Sequence, residues 1–150
     1  MYCNEVWGNT CKTYLDPLVK LQKRAVRVVA SAEWLAHTDP IFSSLQLFKL
    51  KEIHAYTVQL FMFKFHHDKL PSIFNSFFIR NECIHGYKTR QNFLLHPPES
   101  KSQITSNIIR MTGYKLYNYF IDRVKMDCSY PTYKKKIKMH IIENDVMSIF

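Results

Sequence analysis

Glycine is nearly missing: the 150 residues hold three, against about 7% in an average protein. A Rossmann fold, a P-loop enzyme and a glycine-rich sandwich all need glycine where backbone turns sharply or approaches a ligand. The composition therefore argues against all three, and no G-x-G-x-x-G, G-x-x-x-x-G-K-S/T or H-E-x-x-H pattern occurs. Long apolar runs are lacking as well. The longest uninterrupted one is Leu60–Phe63, far short of the roughly 20 residues that a membrane-spanning helix needs. No basic segment followed by a hydrophobic stretch opens the chain, so no secretory signal is visible. Cysteine is sparse, at positions 3, 11, 83 and 128. That spacing fits no compact zinc module, and a chain of this length does not need disulfides to fold. The four read as reduced thiols, an expectation of an intracellular protein, cytoplasmic or nuclear.

What is present is apolar, aromatic and basic. Hydrophobic residues make up 47% and aromatic residues 15%, and the formal net charge is +9. Such a chain is not disordered wholesale, and one domain of this size can bury roughly 68–70% of its unfolded surface. The first 75 residues carry nine Lys and Arg against six acids, and the last 75 carry twelve against six. The opening, Met1 to Gly8, is dense in apolar and aromatic residues, and domain boundaries usually fall in polar linkers. Tyr2, Val6 and Trp7 are therefore expected to pack either onto the core of this chain or onto something upstream of it.

The hydrophobic period gives a mainly α fold: a small helical bundle around a buried central helix, with a long basic loop and room for one short hairpin. A helical first half, 1–79, contains a basic helix over 17–32 and a central helix over 50–67. Asp16-Pro17 is a capping start for the first of these. Leu18, Leu21, Ala25, Val28, Val29 and Ala32 share one face, and Lys20, Lys23, Arg24 and Arg27 share the opposite one. Thr38-Asp39-Pro40 repeats the cap-then-proline pattern and predicts a short helix over Ile41–Leu45. From Leu50 to His67 the wheel is apolar nearly all round, with a narrow polar stripe of Glu52, Gln59 and His66, as befits a helix in the middle of a core. Ile73–Ile79 is ambiguous. Residues 80–102 read as a basic loop with a candidate strand at Asn92–Leu95. A helical second half, 103–142, follows: Gln103–Met111 is compatible with strand or helix. A helix is expected from Gly113 and a last one after Ser129-Tyr130-Pro131, with Tyr133, Ile137 and Ile141 inward. Residues 143–150 are expected to be a tail.

Candidate chemistry is thin. The six aspartates form no adjacent pair, and two-metal catalysis needs carboxylates converging on ions about 3.5–4 Å apart. His66 and His67 are neighbours on a helix and point about 100° apart. Cys83 and His85 lack the two further ligands of a structural zinc site. No catalytic residue, metal site, cofactor or small-molecule substrate is expected. What remains is cationic surface with aromatics between. Lys20, Lys23, Arg24 and Arg27 form an unmixed stripe that either is a solvated face or tracks a phosphate backbone. Lys88 and Arg90, set between Tyr87 and Phe93, suit single-stranded nucleic acid, unless the rings only pin the loop to the core. Lys134, Lys135, Lys136 and Lys138 form either a phosphate-facing patch or a solubilising face.

The ordered landmarks resemble the C-terminal, post-palm region of non-LTR retrotransposon reverse transcriptases of the LINE and jockey-like kind. They are Tyr2-x4-Trp7-Gly8, then Leu15…Leu18…Leu21-Gln22-Lys23-Arg24-Ala25-Val26-Arg27, then His37-Thr38-Asp39-Pro40-Ile41-Phe42. Leu70-Pro71, Gly113-x-x-Leu116-Tyr117-Asn118 and Tyr133-Lys134-Lys135-Lys136-Ile137-Lys138 follow, so the likeness covers about residues 2–142. Tyr117 stands where that family often has tryptophan, and Met1 falls just ahead of the first landmark, as in a fragment. The Y-x-D-D palm motif, the endonuclease and the zinc knuckle of the parent proteins are absent from these residues. The resemblance implies a nucleic-acid-contacting accessory region of an RNA-directed DNA polymerase, without catalytic residues of its own. RNA or an RNA–DNA duplex and the upstream palm would be its partners, with no membrane involved. Two other readings stand beside it: a non-functional remnant of a degraded element, and a small helical scaffold that binds a protein partner.

Overall fold

The computed structural model describes residues 3–84, 90–99 and 108–144. Six α-helices occur among them: α1 (Asn4–Trp7), α2 (Lys12–Val29), α3 (Thr38–Ser44), α4 (Leu50–His66), α5 (Ile109–Phe120) and α6 (Tyr130–Glu143). Short 3-10 turns stand at Ser72–Phe74 and Asn81–Cys83, and the only extended pairing among the described residues is one antiparallel bridge between Arg80 and Leu95. The protein is thus a small helical bundle, with α4 buried at its centre as its all-round apolar wheel predicts. Helices α1, α2, α5 and α6 all pack on it, and α3 packs on α2.

The core is aromatic. Phe63 stacks on Tyr133 with ring centroids 4.3 Å apart, and Ala55, Val58, Met62, Leu116, Tyr117, Phe120, Ile137 and Ile141 complete it. The polar stripe of α4 is consumed inside this packing. Glu52 accepts the backbone N–H of Lys49 at 2.8 Å and closes the helix start. Fully buried Gln59 donates to the Tyr133 hydroxyl at 2.7 Å, and His66 Nδ1 lies 2.9 Å from the Tyr117 hydroxyl. Gly113 sits inside α5 because a Cβ there would press on Met62 and the Phe78 ring, each 3.0 Å away. Asn118 holds the bridge segment from both sides: it accepts the Leu95 N–H at 2.8 Å and donates to the Leu95 carbonyl at 2.9 Å.

Scarcity of glycine shows at the helix ends. Helices α2, α3 and α4 each close with a left-handed residue that is not glycine: Ser31 (φ 49°), Gln46 (φ 49°) and Asp68 (φ 52°). In each case the next N–H returns to a carbonyl five residues back, Ala32 to Arg27, Leu47 to Phe42 and Lys69 to Lys64, the Schellman closure that glycine normally serves.

Of the three N-terminal residues expected to pack, Tyr2 lies outside the described residues. Asn4 and Gly8 are buried, Trp7 is half-buried and Val6 is exposed. Asn4 ties α1 to α4, its carbonyl accepting from His54 Nδ1 at 3.0 Å and its Oδ1 from the Thr57 hydroxyl at 3.0 Å. A side chain at position 8 would overlap the His54 ring, so the glycine lets α1 lie directly on α4.

Several boundaries differ from expectation. Helix α2 starts at Lys12, five residues before the expected 17, and Pro17 lies inside it. Proline lacks the N–H that would bond the carbonyl four residues back. The extra turn nevertheless buries Leu15 in the same cleft as Phe42 and Leu50, and that apolar burial offsets the lost bond. The helix ends at Val29, before the left-handed Ser31 and short of the expected 32. Asp39 does not cap α3, whose N-cap is His37; its carboxylate instead meets Lys49 Nζ at 2.7 Å. Helix α5 already runs from Ile109, ahead of Gly113. In α6 Ser129 is the N-cap, its hydroxyl accepting the Thr132 N–H, and Tyr133, Ile137 and Ile141 turn inward as expected. Most of Gln103–Met111 and the tail beyond Asn144 lie outside the described residues.

Candidate functional site

Helix α2 is three-sided, and its sides have different chemistry. The side turned to the rest of the bundle is narrow: Leu15 and Val26 are buried, and Val19 and Gln22 are half-buried. Gln22 anchors it, donating through Nε2 to the Phe48 carbonyl at 2.8 Å and accepting the Leu50 N–H through Oε1 at 3.0 Å. One amide thereby joins the middle of α2 to the start of α4.

A second side carries the cations. Lys20, Lys23 and Arg24 are exposed, and Arg27 is half-buried. Arg27 Nε donates to the Ala36 carbonyl at 2.9 Å and holds the α2–α3 connection. The Arg24 guanidinium lies 5.4 Å from the Trp34 ring centroid, within cation–π range. Lys20 and Lys23 make no ion pair among the described residues.

The third side is apolar and faces out. Tyr14, Leu18, Leu21, Ala25 and Val28 follow one another at helical spacing, and all are exposed; Leu21 is 58% and Val28 77% accessible. This is most of the face that the period singles out as apolar, and it is not the face that packs. Beside it, Ala25, Val26 and Val29 border an apolar groove with Phe42, Leu47, Phe48 and Ile53. Just past the helix, Trp34 and Leu35 are also exposed.

The other candidate cations do not join this helix. Lys88 lies outside the described residues, and Arg90 is exposed on the stretch that leads to the Leu95 bridge. Lys134, Lys135, Lys136 and Lys138 are all exposed on α6, spread around three sides of it because the fourth carries Tyr133, Ile137 and Ile141 inward. Lys134 Nζ lies 4.6 Å from the Tyr130 ring centroid, and Lys136 borders a shallow depression with Arg123, Lys125, His140 and Glu143. Helices α2 and α6 each pack on α4, and the nine candidate cations among the described residues stand on these two helices and on the stretch at Arg90.

Titratable groups in the core are structural ties. Burial pushes His54, His66 and His140 below the ordinary imidazole value, and it pushes the Tyr117 and Tyr133 hydroxyls up. The Lys49 ammonium beside Asp39 holds that carboxyl below its usual range. Among the described residues no three or more His, Cys, Asp or Glu side chains are placed to hold a metal ion, and no helix is long and apolar enough to cross a membrane. Sequence reasoning missed Gln22, whose role depends on a loop 26 residues away. It also missed which way the leucine and valine stripe points. Comparison with protein-family models, with curated proteins and with solved structures finds no match.

Proposed function

We propose that this chain is a helical docking module whose recognition face is the outward stripe of α2. The partner is an amphipathic helix of another protein, with acidic side chains along one flank of its own apolar stripe. The carrying observation is that Leu18, Leu21 and Val28 lie in the open on a helix whose inner edge is firmly held by Gln22. Contiguous exposed apolar surface of this kind typically marks an interaction site, and an amphipathic helix laid along such a face is a common mode of recognition. Charge selects the partner: the cationic side of α2 adjoins the stripe at Arg24, three residues after Leu21 and four before Val28, and α2 carries no acid after Asp16. A second copy would bring like charges together, on a chain that carries +9 overall.

The test is a pair of helical peptides with the same leucine stripe, one flanked by glutamate and the other by lysine, titrated against the full chain. The glutamate peptide binds, the lysine peptide does not, and the double variant Leu21→Glu, Val28→Glu loses binding while its thermal midpoint stays close to the parent's. Equal binding of the two peptides, or none, refutes the docking face.

A second reading is supported by the exposure of Lys20 and Lys23, neither of which is in a salt bridge among the described residues. In it the cationic side of α2 contacts RNA or an RNA–DNA duplex, as an accessory region of a retroelement polymerase beside its palm. Replacing Lys20 and Lys23 by glutamine would then weaken RNA binding and lower its salt slope by roughly two. A remnant without biochemical function would bind neither peptide nor RNA.

A further inference from the structure

On the inner edge of α2, away from the docking stripe, a cleft of about 320 Å³ opens between α2, α3 and the start of α4. Its volume is at the lower end of the range typical of small-molecule sites, roughly 300–1,000 Å³. Leu15, Val19, Phe42 and Leu50 give it apolar walls, and Phe42 is nearly completely buried. The rim is charged and unbalanced. Lys12, Lys23, Lys49 and Lys51 stand around it against Asp16 and Asp39. Asp39 is taken by Lys49 at 2.7 Å, whereas Lys12, Lys23 and Lys51 make no ion pair among the described residues. Lys23 also acts on Asp39, so the rim as a whole holds four ammonium groups against two carboxylates.

We propose that this cleft binds a small amphiphilic anion: a flat or short apolar body seated on Leu15, Val19, Phe42 and Leu50, with one terminal carboxylate or similar group set against the lysine-rich rim. Each half of the ligand supplies what the other lacks. The apolar body removes Val19 and its neighbours from water, a gain proportional to the area covered. The anion meets the net positive charge of a rim on which four lysines stand against two aspartates. A neutral apolar molecule leaves the rim's excess positive charge unmatched, and a bare anion gains only screened surface pairing, worth about 0–1 kcal/mol per pair.

The full chain, labelled for NMR, is titrated with naphthalene-2-carboxylate, with 2-naphthamide (the same rings without charge) and with acetate (the charge without rings). The carboxylate moves the signals of Leu15, Val19, Phe42 and Leu50 saturably, with a Kd below about 1 mM, and the two controls bind at least tenfold more weakly. Two variants probe the halves separately. Lys12→Gln with Lys23→Gln and Lys51→Gln weakens the carboxylate at least tenfold toward the amide's affinity. Val19→Phe fills the cleft and abolishes binding with every lysine in place. Equal affinity for carboxylate and amide, shifts centred on Leu21 and Val28 instead of the cleft, or no saturable shift overturns the proposal. Because the acidic peptide is read at Leu21 and Val28 and the small anion at Val19 and Phe42, failure of either site leaves the other's result intact.

Discussion

Single residues in this protein are decided by what they can bond inside an aromatic core. Gln59 is the clearest case. It is fully buried, its amide nitrogen donates to Tyr133, and its Oε1 is buried without a hydrogen-bond partner among the described residues. Leaving one member of a buried pair alone costs about 1–3 kcal/mol, while replacing both by apolar groups of similar shape is nearly neutral. Gln59→Leu and Tyr133→Phe are therefore each expected to destabilise by about that amount, and the double variant by clearly less than their sum, measured by urea unfolding. Strict additivity would mean that the two do not share a bond. The sequence shows Gln59 as part of a polar stripe on an apolar helix, which marks it as unusual. It does not show the partner, because Tyr133 lies 74 residues on and only the packing of α6 on α4 brings the hydroxyl within reach.

At the scale of elements, the positions of α3, α4 and α6 were readable because their signals are local: prolines at helix starts, a serine cap, a wheel with one kind of surface. Helix α2 was half readable. Its cationic side follows from spacing alone, but the side that packs does not, since Leu15, Val19 and Val26 are no more apolar than Leu18, Leu21 and Val28. The choice between two apolar edges is made by Gln22 reaching Phe48 and Leu50, a tertiary fact. The helix ends offer a sharper test. A non-glycine residue in the left-handed region costs about 1–2 kcal/mol, partly offset because glycine loses more freedom on folding. Replacing Ser31 or Gln46 by glycine is thus expected to stabilise the chain by about 0.5–1 kcal/mol each, read as a raised unfolding midpoint. An unchanged or lowered midpoint would show that these turns are not left-handed closures.

The whole molecule is a set of helices held on α4 by buried rings and neutral histidines, and this sets its response to acid. His54, His66 and His140 are held by burial below the unfolded value of about 6.5, so below that pH the unfolded chain takes up protons first. Their stabilising contribution is complete above about pH 6.5 and is lost as pH falls toward the folded-state values. The urea midpoint should be level between pH 7 and 8 and fall between about 6.5 and 5. His54→Gln should fall less steeply than the parent. A midpoint independent of pH over that interval would contradict the burial of these rings.

The proposed docking function rests on one orientation, that of α2 and its outward stripe. Methyl-labelled chain in the presence of a soluble gadolinium chelate measures it most directly, first alone and then with the glutamate-flanked peptide. Alone, the methyls of Leu18, Leu21 and Val28 should be strongly broadened, while those of Leu15, Val26, Val58 and Leu116 stay sharp. Addition of the peptide should protect the first group without changing the second. If Leu21 and Val28 are already shielded in the free chain, or stay exposed when the peptide is saturating, α2 does not present a docking face.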